Sequence, residues 1–273
     1  MIEAIVALLF GLLAGSFLNV CIHRWPRGRS VVKPRSHCVR CRHTIAWYDN
    51  IPLLSYAVLR GRCRHCGKRI SARYPLVEAI TGLLFFYFVF TFGPTAAAFK
   101  MCILTAMLVA IAFCDLEKRI LPDELTVGGA VAGFVLALFV PVPDITASAL
   151  LWVFGVQLTG TPASLAESVF GALLSALILW CGGWIYYKVR HREGLGFGDV
   201  KLIAMVGSFL GMGGALFTLI LGSICGSILG YGYIKATGKD AATYELPFGT
   251  FLAAAALVTA IAGQKILGWY GGL

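Results

Sequence analysis

Long apolar stretches separated by short polar ones run along almost the whole chain. Stretches long enough to form membrane-spanning helices lie at 3–22, 76–93, 95–114, 125–142, 166–187, 199–213, 214–234 and 248–268. A helix needs about 20 mostly apolar residues to cross the hydrocarbon core of a bilayer. The pattern therefore predicts an all-α polytopic membrane protein with about eight transmembrane helices. The run from Val200 to Tyr233 has a second interpretation, a long hairpin split at the glycine-rich residues 211–214.

Residues 23–75 form the one long polar segment of the sequence, and we call this segment the inserted module. Its short apolar stretches, such as 51–59, are sufficient only for a miniature core. A module with so little core usually needs a staple. We therefore expect three parts: a first transmembrane helix at 1–22, the inserted module, and a seven-helix membrane body at 76–273.

Composition and charge support a membrane protein with a defined orientation. Hydrophobic residues make up 59% of the chain and charged residues 13%, too little polar surface to cover a soluble protein. Of the 23 Lys and Arg residues, 13 lie in the inserted module. Most of the others lie in 115–124, 188–198 and 235–247. Because loops rich in Lys and Arg stay in the cytoplasm, we expect these four segments there and the amino terminus in the periplasm.

The charge order around the first apolar stretch argues against a cleaved signal peptide. Glu3 precedes the stretch, and Arg24 and Arg27 follow it, whereas a signal peptide carries its basic residues first. The net charge of +10 is spread over every predicted inner loop. It therefore indicates topology and contact with anionic lipid headgroups, and we expect no nucleic-acid partner.

Four of the nine cysteines lie in the inserted module as two CxxC pairs, Cys38 with Cys41 and Cys63 with Cys66. Each pair can present two thiolates on one tight turn, and two such turns complete a tetrahedral zinc site. Arginines beside both pairs would favour the thiolate form. We therefore predict a structural zinc site with no open coordination position.

Alternatives for these cysteines stay open. Two disulfides would need an oxidising compartment, and four thiols without a metal would leave the module unstapled. His37, His43 or His65 could replace one of the thiolates as a ligand. The other five cysteines lie in apolar stretches, where small packing residues are expected.

Glu3, Asp144 and Glu167 lie on the predicted outer side, and three other carboxylates lie within apolar stretches or at their edges: Glu78, Asp115 and Asp199. An ionisable group in such a place is costly and is therefore a functional-site hypothesis. Asp115 ends one stretch and Asp199 begins another, both at the predicted cytoplasmic border. Two neighbouring carboxylates can share one proton, so that the ionised one activates a water and the protonated one polarises a carbonyl. The pair predicts aspartyl-protease chemistry at the membrane surface.

Structural roles are the alternative for both aspartates. Asp115 could cap the turn that follows it or pair with Lys118 or Arg119. Asp199 could be the N-cap of a helix that begins at Val200, neutralised by the helix dipole and by the lysine at position 201.

Two glycines, Gly196 and Gly198, lie just before Asp199. Glycine permits a positive φ and a close backbone approach. Such an approach would leave room for an extended substrate beside the carboxylate.

Together these residues resemble the type IV prepilin leader peptidases, a family of bifunctional membrane enzymes of the GxGD aspartyl class. The resemblance extends over nearly the whole chain. The matching blocks are Gly15-Ser-Phe-Leu-Asn-Val20, Arg24-Trp-Pro26, Arg35-Ser-His-Cys38 with both CxxC pairs, Asp49-Asn-Ile-Pro52, Ile70-Ser-Ala-Arg-Tyr-Pro75 with Glu78, Asp115 with Leu121-Pro-Asp-Glu-Leu-Thr126, Gly196-Phe-Gly-Asp-Val-Lys201 and Leu246-Pro-Phe-Gly249.

The resemblance implies an enzyme of the bacterial inner membrane. Such an enzyme cleaves the short basic leader of type IV prepilins, or of type II secretion pseudopilins, after a glycine on the cytoplasmic side. It then methylates the new amino-terminal residue with S-adenosylmethionine. The resemblance also implies that Asp115 and Asp199 are catalytic and that the four cysteines hold zinc in the module that accompanies methyl transfer. Glu78 is our candidate for methyl transfer or for binding the substrate amine.

Two positions depart from the family pattern. Cys21 stands where an aliphatic residue is common, and Thr250 stands where a second proline is common. We expect neither residue to touch the aspartate pair. Two other functions stay open. One is a peptidase without methyltransferase activity. The other is a non-enzymatic, zinc-stapled membrane transporter or assembly factor that uses the intramembrane acids as ion or proton sites.

Overall fold

The computed structural model describes residues 1–142, 144, 146–191, 195–237 and 246–271, with the backbone alone at 264–271. Short turns and two isolated β-bridges in the inserted module join the helices. The helices are α1 Ile2–Arg24, α2 Leu54–Val58, α3 Arg73–Phe92, α4 Ala96–Lys118, α5 Asp123–Ala137, α6 Thr146–Val153, α7 Thr161–Arg190, α8 Phe197–Thr237 and α9 Phe248–Gly271. The all-α class is confirmed. Parts of two predicted cytoplasmic segments, 192–194 and 238–245, lie outside the described residues.

Five helices in the described part of the chain are long and apolar enough to cross a membrane: α1, α3, α4, α7 and α8. The predicted number of eight is not confirmed. Helix α5 has 15 residues, fewer than the roughly 20 that a perpendicular crossing needs. The described apolar part of α9 is also short, at 248–263. Helix α8 takes up two predicted spans in one element of 41 residues.

The first of two compact units comprises Met1–Ala110, and in it α1 packs against α3. A Cβ atom at Gly15 would lie 2.7 Å from Cα of Glu78, and one at Gly11 would lie 2.8 Å from Cα of Gly82. Because no side chain fits at such distances, the glycines let the two helix backbones approach closely, as small residues do in membrane helix pairs. This approach places Glu78 directly beside α1.

The second unit comprises Ile111–Leu273, and in it α8 packs against α5, α7 and α9. The fully buried side chains of α8 include Leu202, Ile203, Met205, Val206 and Phe209. Hydroxyl groups add hydrogen bonds between helices: Ser168 donates to the Ser208 carbonyl at 2.7 Å, and Thr218 donates to Thr259 at 3.0 Å. Since a buried hydroxyl is costly without a partner, these bonds let polar residues lie inside the apolar bundle.

Helix α8 is interrupted at Gly211, where φ is 77° and ψ is −178°. A residue with a side chain rarely adopts this conformation. The Gly213 N–H donates to Oδ2 of Asp144 at 2.7 Å, so that an acid outside the helix satisfies a backbone donor just after the interruption. The glycine-rich residues 211–214 are therefore a break in α8.

A buried acid, Glu167, caps α6. Glu167 of α7 is fully enclosed and accepts the N–H groups of Ala147 at 2.8 Å and Ser148 at 2.7 Å. A carboxylate at a helix amino terminus satisfies donors that have no partner within the helix. Glu167 therefore has a structural explanation for its place in an apolar helix.

Candidate active site and metal centre

The end of α4 and the start of α8 bring Asp115 and Asp199 together. Asp115 is 4% exposed and Asp199 is 7% exposed. The two carboxylates are close enough to repel each other electrostatically. Neighbouring carboxylates in a buried site do not readily ionise together. The two carboxylates therefore lie in the same site, and their catalytic role stays a prediction.

Asp115 is held by Thr250, which lies in the first turn of α9. Oδ2 of Asp115 accepts the Thr250 backbone N–H at 2.6 Å and the Thr250 hydroxyl at 2.8 Å. The hydroxyl also lies 3.2 Å from the carbonyl of Ala112, and the shorter contact favours Asp115 as the acceptor of its single proton. Proline, the residue common at this position in the family, has no N–H to donate. The two hydrogen bonds to Asp115 therefore depend on Thr250, one of the two residues that depart from the family pattern.

Asp199 lies inside the first turn of α8, which begins at Phe197. It is therefore not the N-cap of a helix that begins at Val200. Its Oδ1 atom is buried and has no hydrogen-bond partner within the described part of the chain. Its Oδ2 atom lies beside Gly196, where a Cβ would come within 3.4 Å. A buried oxygen without a partner is costly, so a proton or a substrate group is expected to satisfy it.

The segments around the two aspartates converge on Leu121. A Cβ at Gly198 would lie 2.8 Å from Cδ1 of Leu121, and one at Gly249 would lie 3.2 Å from Cγ of Asp115. Gly198 therefore lets the Leu121 side chain pack against the start of α8, and the predicted room for a substrate beside Asp199 stays a prediction. Neither Gly196 nor Gly198 has a positive φ, so the conformational freedom of these glycines is not used in this structure.

Lys201 forms an ion pair across the same region. Its Nζ lies 2.7 Å from Oδ1 of Asp123, the first residue of α5. The Asp123 side chain is 65% exposed, and exposed ion pairs usually contribute about 0–1 kcal/mol. Lys201 therefore connects the starts of α5 and α8, and its charge is directed to Asp123 and not to Asp199.

The inserted module brings its four cysteines into one cluster. Their sulfur atoms all lie within 4.8 Å of one another, and those of Cys38 and Cys66 are 3.9 Å apart. A tetrahedral zinc site with Zn–S bonds of about 2.3 Å requires sulfur separations of about 3.8 Å. All nine cysteines of the chain are free thiols, so the disulfide alternative is not found. The four sulfurs fit a zinc ion.

The two CxxC turns have the same backbone pattern. The N–H four residues after the first cysteine of each pair donates to that cysteine's carbonyl, from Arg42 at 2.8 Å and from Gly67 at 2.9 Å. Both of these residues have a positive φ, 59° and 65°. Burial raises the pKa of Cys38, but hydrogen bonds from the backbones of Cys41 and Arg40 and from neighbouring thiols lower it to about 7. The first turn therefore favours the thiolate at Cys38, whereas a backbone hydrogen bond at His43 is outweighed at Cys41, where burial and the neighbouring thiols raise the pKa to about 11.

An ion pair ties the second turn to the rest of the inserted module. Arg64, which lies between the cysteines of the second pair, donates to both carboxylate oxygens of Asp49 at 2.6 to 3.1 Å. These hydrogen bonds hold the pKa of Asp49 below its usual range. Among the histidines that could substitute as ligands, His43 and His65 instead stack on each other, with ring centroids 3.4 Å apart.

Glu78 lies far along the sequence from the aspartate pair and belongs to the other compact unit. It is 7% exposed. Its Oε2 atom accepts the backbone N–H of Leu53 at 2.9 Å. Glu78 and the cysteine turns line the same cavity of about 350 Å³. The structure therefore associates Glu78 with the inserted module.

The expectation that Thr250 does not touch the aspartate pair is wrong, because Thr250 donates two hydrogen bonds to Asp115. Its contact with Asp115 joins residues 135 positions apart. Local patterns carry no information on such a contact, and the one signal was the departure from proline at this position.

Two family models together match most of the chain. The model described as the bacterial peptidase A24 N-terminal domain matches residues 9–92, which include the four cysteines and Glu78. The model described as the type IV leader peptidase family matches residues 102–231, which include Asp115 and Asp199.

Curated relatives include three proteins named prepilin leader peptidase/N-methyltransferase. The one from Myxococcus xanthus is 41% identical over 86% of this chain, which spans 64% of that relative's length. The one from Aeromonas salmonicida is 36% identical, with 96% of this chain and 91% of the relative covered. The one from Pseudomonas aeruginosa is 34% identical with the same coverage. No solved structure matches the chain.

Proposed function

The chain belongs to the type IV leader peptidase family, and we propose that it is a membrane aspartyl endopeptidase and N-methyltransferase. It removes the basic leader of type IV prepilins or pseudopilins after a glycine and then methylates the new amino terminus with S-adenosylmethionine. It works in the bacterial inner membrane, with its amino terminus in the periplasm and its active site facing the cytoplasm. The names of the relatives, prepilin leader peptidase/N-methyltransferase, support this activity.

One observation carries the proposed peptidase activity. Two enclosed carboxylates on different helices, Asp115 and Asp199, are close enough to repel each other. Their hydrogen bonds differ, since Asp115 accepts two donors from Thr250 while Oδ1 of Asp199 accepts none from the described residues. Donors stabilise an ionised carboxylate. Asp115 is therefore assigned as the base and Asp199 as the proton donor.

These assignments give a balanced hydrolysis. Asp115 takes a proton from water, the water oxygen bonds to the glycine carbonyl carbon, and Asp199 gives its proton to the carbonyl oxygen. When the C–N bond breaks, Asp115 passes its proton to the leaving amine. Asp199 takes a proton back from a hydroxyl on the same carbon. Both aspartates then have their starting protonation states.

The location of the pair suits this substrate. A prepilin presents its leader in the cytoplasm and an apolar helix in the bilayer, so its scissile bond would lie at the membrane border. Asp115 lies three residues before the end of α4, and Asp199 lies at the start of α8. Both helices are candidate membrane spans. The pair is therefore at helix ends, where a bond at the border can reach it.

Isosteric variants test the peptidase assignment. Asp115→Asn and Asp199→Asn each remove an ionisable group and keep the side-chain shape. Each should lower cleavage of a purified prepilin by about a hundredfold or more in lipid nanodiscs, because general acid–base catalysis contributes about that much. The matched control is Glu124→Gln, which neutralises an exposed acid in the first turn of α5. Cleavage by either aspartate variant at the rate of the control would refute the assignment.

Zinc has a structural role in this proposal. The four thiolates of Cys38, Cys41, Cys63 and Cys66 would hold one Zn²⁺ and leave no position for water. The ion would fix the two turns in a module that has few buried apolar residues. This part of the proposal is supported by the sulfur separations and by the matching geometry of the two turns.

Methyl transfer is the second proposed activity, and we assign Glu78 to it. Glu78 is an enclosed carboxylate on the wall of the cavity that the inserted module shares with α1 and α3. A carboxylate there can accept a proton from the substrate amine or attract a cationic group. Mass spectrometry of a cleaved pilin with methyl donor present tests this activity. An unmethylated amino terminus would favour a peptidase without methyltransferase activity, and an intact prepilin would favour the transporter or assembly factor.

A further inference from the structure

A groove of about 420 Å³ runs along one face of α1 and ends against the inserted module. The part of its wall that α1 supplies is mainly apolar and includes Leu13, Phe17 and Val20. On a helix these three positions and Arg24 lie within about 60° of one another around the axis, so they form one continuous stripe. Leu13 is 58% exposed and Phe17 is 53% exposed. The groove is therefore open along the length of this stripe.

The face of α1 that carries the groove points away from α3. Helix α3 makes its close contacts with α1 at Gly11 and Gly15. Both glycines lie about 160° from Leu13 around the helix axis. Among the described residues that line the groove, none belongs to an α-helix other than α1. The stripe is therefore exposed where lipid would surround the helix.

The length of the stripe matches the depth of one bilayer leaflet. Residues Ile2–Arg27 form a candidate membrane span, and Arg24 lies near its end at the inserted module. Arg24 follows Leu13 by 11 positions, which is about 16 Å along a helix that rises 1.5 Å per residue. Half of the hydrocarbon core of a bilayer is about 15 Å thick. The apolar part of the groove therefore extends from the membrane border to about the bilayer centre.

The end of the groove at the inserted module is cationic. Arg35 lines this end and is exposed. Arg24 lines it too and donates to the carbonyls of Ser30 at 3.0 Å and Pro34 at 2.7 Å, so that it holds the segment that forms the upper wall. No acidic residue is among the described residues that line the groove. The two positive charges are therefore not balanced by a carboxylate on this wall, and they favour an anionic ligand group.

An exposed tryptophan lines the same end of the groove. Trp47 is 76% exposed, and Val32 on the same wall is 79% exposed. Tryptophan is enriched at the boundary between hydrocarbon and headgroups, because its ring is apolar and its N–H needs a polar partner. The groove thus combines an apolar channel of leaflet depth with cationic and N–H donor groups at the border. A phospholipid has the same division between acyl chains and headgroup.

We propose that this groove binds a phospholipid with an anionic headgroup, its acyl chain along the stripe of α1 and its phosphate at Arg35 and Trp47. Arginine suits a phosphate because its planar guanidinium can donate two parallel N–H bonds. The basic leader of a prepilin would be repelled by the same arginines, so charge favours lipid over substrate as the occupant. The bound lipid would hold the inserted module at the membrane surface. The site does not depend on the proposed peptidase or methyltransferase activity.

Photo-cross-linking tests where the lipid lies and which headgroup it needs. The full chain in phosphatidylcholine nanodiscs receives a small fraction of a lipid with a photoreactive acyl chain and either a phosphatidylglycerol or a phosphatidylcholine headgroup. Mass spectrometry should map the phosphatidylglycerol cross-links to positions 13–20 of α1, with a several-fold lower yield for phosphatidylcholine. Arg35→Gln should lower the phosphatidylglycerol yield about fivefold, which corresponds to the roughly 1 kcal/mol of one basic residue at an anionic membrane. It should leave the phosphatidylcholine yield unchanged.

Two matched controls separate the groove from general charge and bulk. Arg29→Gln removes an exposed charge from the same segment outside the groove and should keep the yield. Val20→Trp fills the apolar channel and should lower the yield of both lipids, whereas Leu177→Trp adds the same bulk on an exposed face of α7 and should not.

Thermal unfolding shows that each variant is folded, and the exposed position of Arg35 makes Arg35→Gln decisive if Val20→Trp does not fold. Equal yields for the two headgroups in the unmodified protein, or an equal loss in Arg29→Gln and Arg35→Gln, would overturn the proposal. Displacement of the cross-linked lipid by purified prepilin would also overturn it, because the groove would then belong to the substrate.

Discussion

Replacing Thr250 with valine removes the hydroxyl that lies 2.8 Å from Oδ2 of Asp115 and keeps nearly the same side-chain shape. The backbone N–H of the same residue still donates to this oxygen at 2.6 Å. The change therefore isolates one hydrogen bond to the carboxylate that we propose as the base. Thr250 has no proposed contact with the substrate, so the variant should affect kcat and leave KM unchanged.

The size of the effect follows from the burial of the carboxylate. A hydrogen bond to a charged group contributes about 1.5–3 kcal/mol net. Asp115 is 4% exposed, so solvent does not replace the lost donor. Since about 1.36 kcal/mol corresponds to a tenfold change in rate, Thr250→Val should lower kcat by about 10- to 100-fold. Thr250→Ser keeps the hydroxyl and should restore most of the rate.

The assay is steady-state cleavage of a purified prepilin, with kcat and KM measured separately. Thr259→Val is the matched control, because Thr259 is a buried threonine in the same helix whose hydroxyl donates to Ala255 and accepts from Thr218 and does not contact Asp115. This control should keep the wild-type kcat if it folds. An unchanged kcat in Thr250→Val, or an equal loss in Thr259→Val, would refute the proposed support of the base.

Three further variants test other parts of the structure. Cys63→Ser should lower the zinc content measured by atomic emission and lower the unfolding temperature, and a wild-type protein purified without zinc would contradict the metal assignment. Gly211→Ala should lower the free energy of unfolding by about 1–3 kcal/mol, because φ is 77° there and the new Cβ would overlap Asp144. An unchanged thermal unfolding midpoint would show that the break in α8 is not needed. Lys201→Met should cost at most about 1 kcal/mol of stability, because its ion pair with Asp123 is exposed. A complete loss of cleavage in this variant would indicate that Lys201 acts on the substrate.

The helical class could be predicted because apolar stretches of helix length dominate the chain. The number of spans could not, because hydropathy marks apolar residues and does not mark where a helix ends. Helix α5 ends at Ala137, a few residues before Pro141, although the apolar stretch continues to position 142. The residue before a proline disfavours the helical conformation. The helix therefore ends before the apolar stretch does.

Part of the candidate site could also be predicted from the sequence, and part could not. The four cysteines and the two aspartates were identifiable because zinc sites and intramembrane acids need particular residue types at particular places. Their environment was not identifiable. The donors on Asp115 come from a residue 135 positions away. Contacts of this kind follow from tertiary packing and leave no periodic pattern in the sequence.

The role of Glu78 in the site could be predicted only in part. Its place in an apolar stretch marked it as unusual, but its sequence position did not reveal a cavity or the backbone N–H of Leu53. The close approach at Gly15 sets the position of Glu78 against α1. Glycines are common in apolar helices. The sequence therefore does not show which glycine lets a neighbouring helix, with its carboxylate, pack closely against it.

The central claim is tested most directly by the products that the purified protein makes. The full chain in lipid nanodiscs is incubated with a prepilin and S-adenosylmethionine, and the pilin is analysed by mass spectrometry beside the Asp199→Asn variant. The account predicts that the unmodified protein yields a pilin that is cleaved after a glycine and carries one methyl group, while the variant leaves the prepilin intact. An intact prepilin with the unmodified protein, or the same cleaved product with the variant, would contradict it.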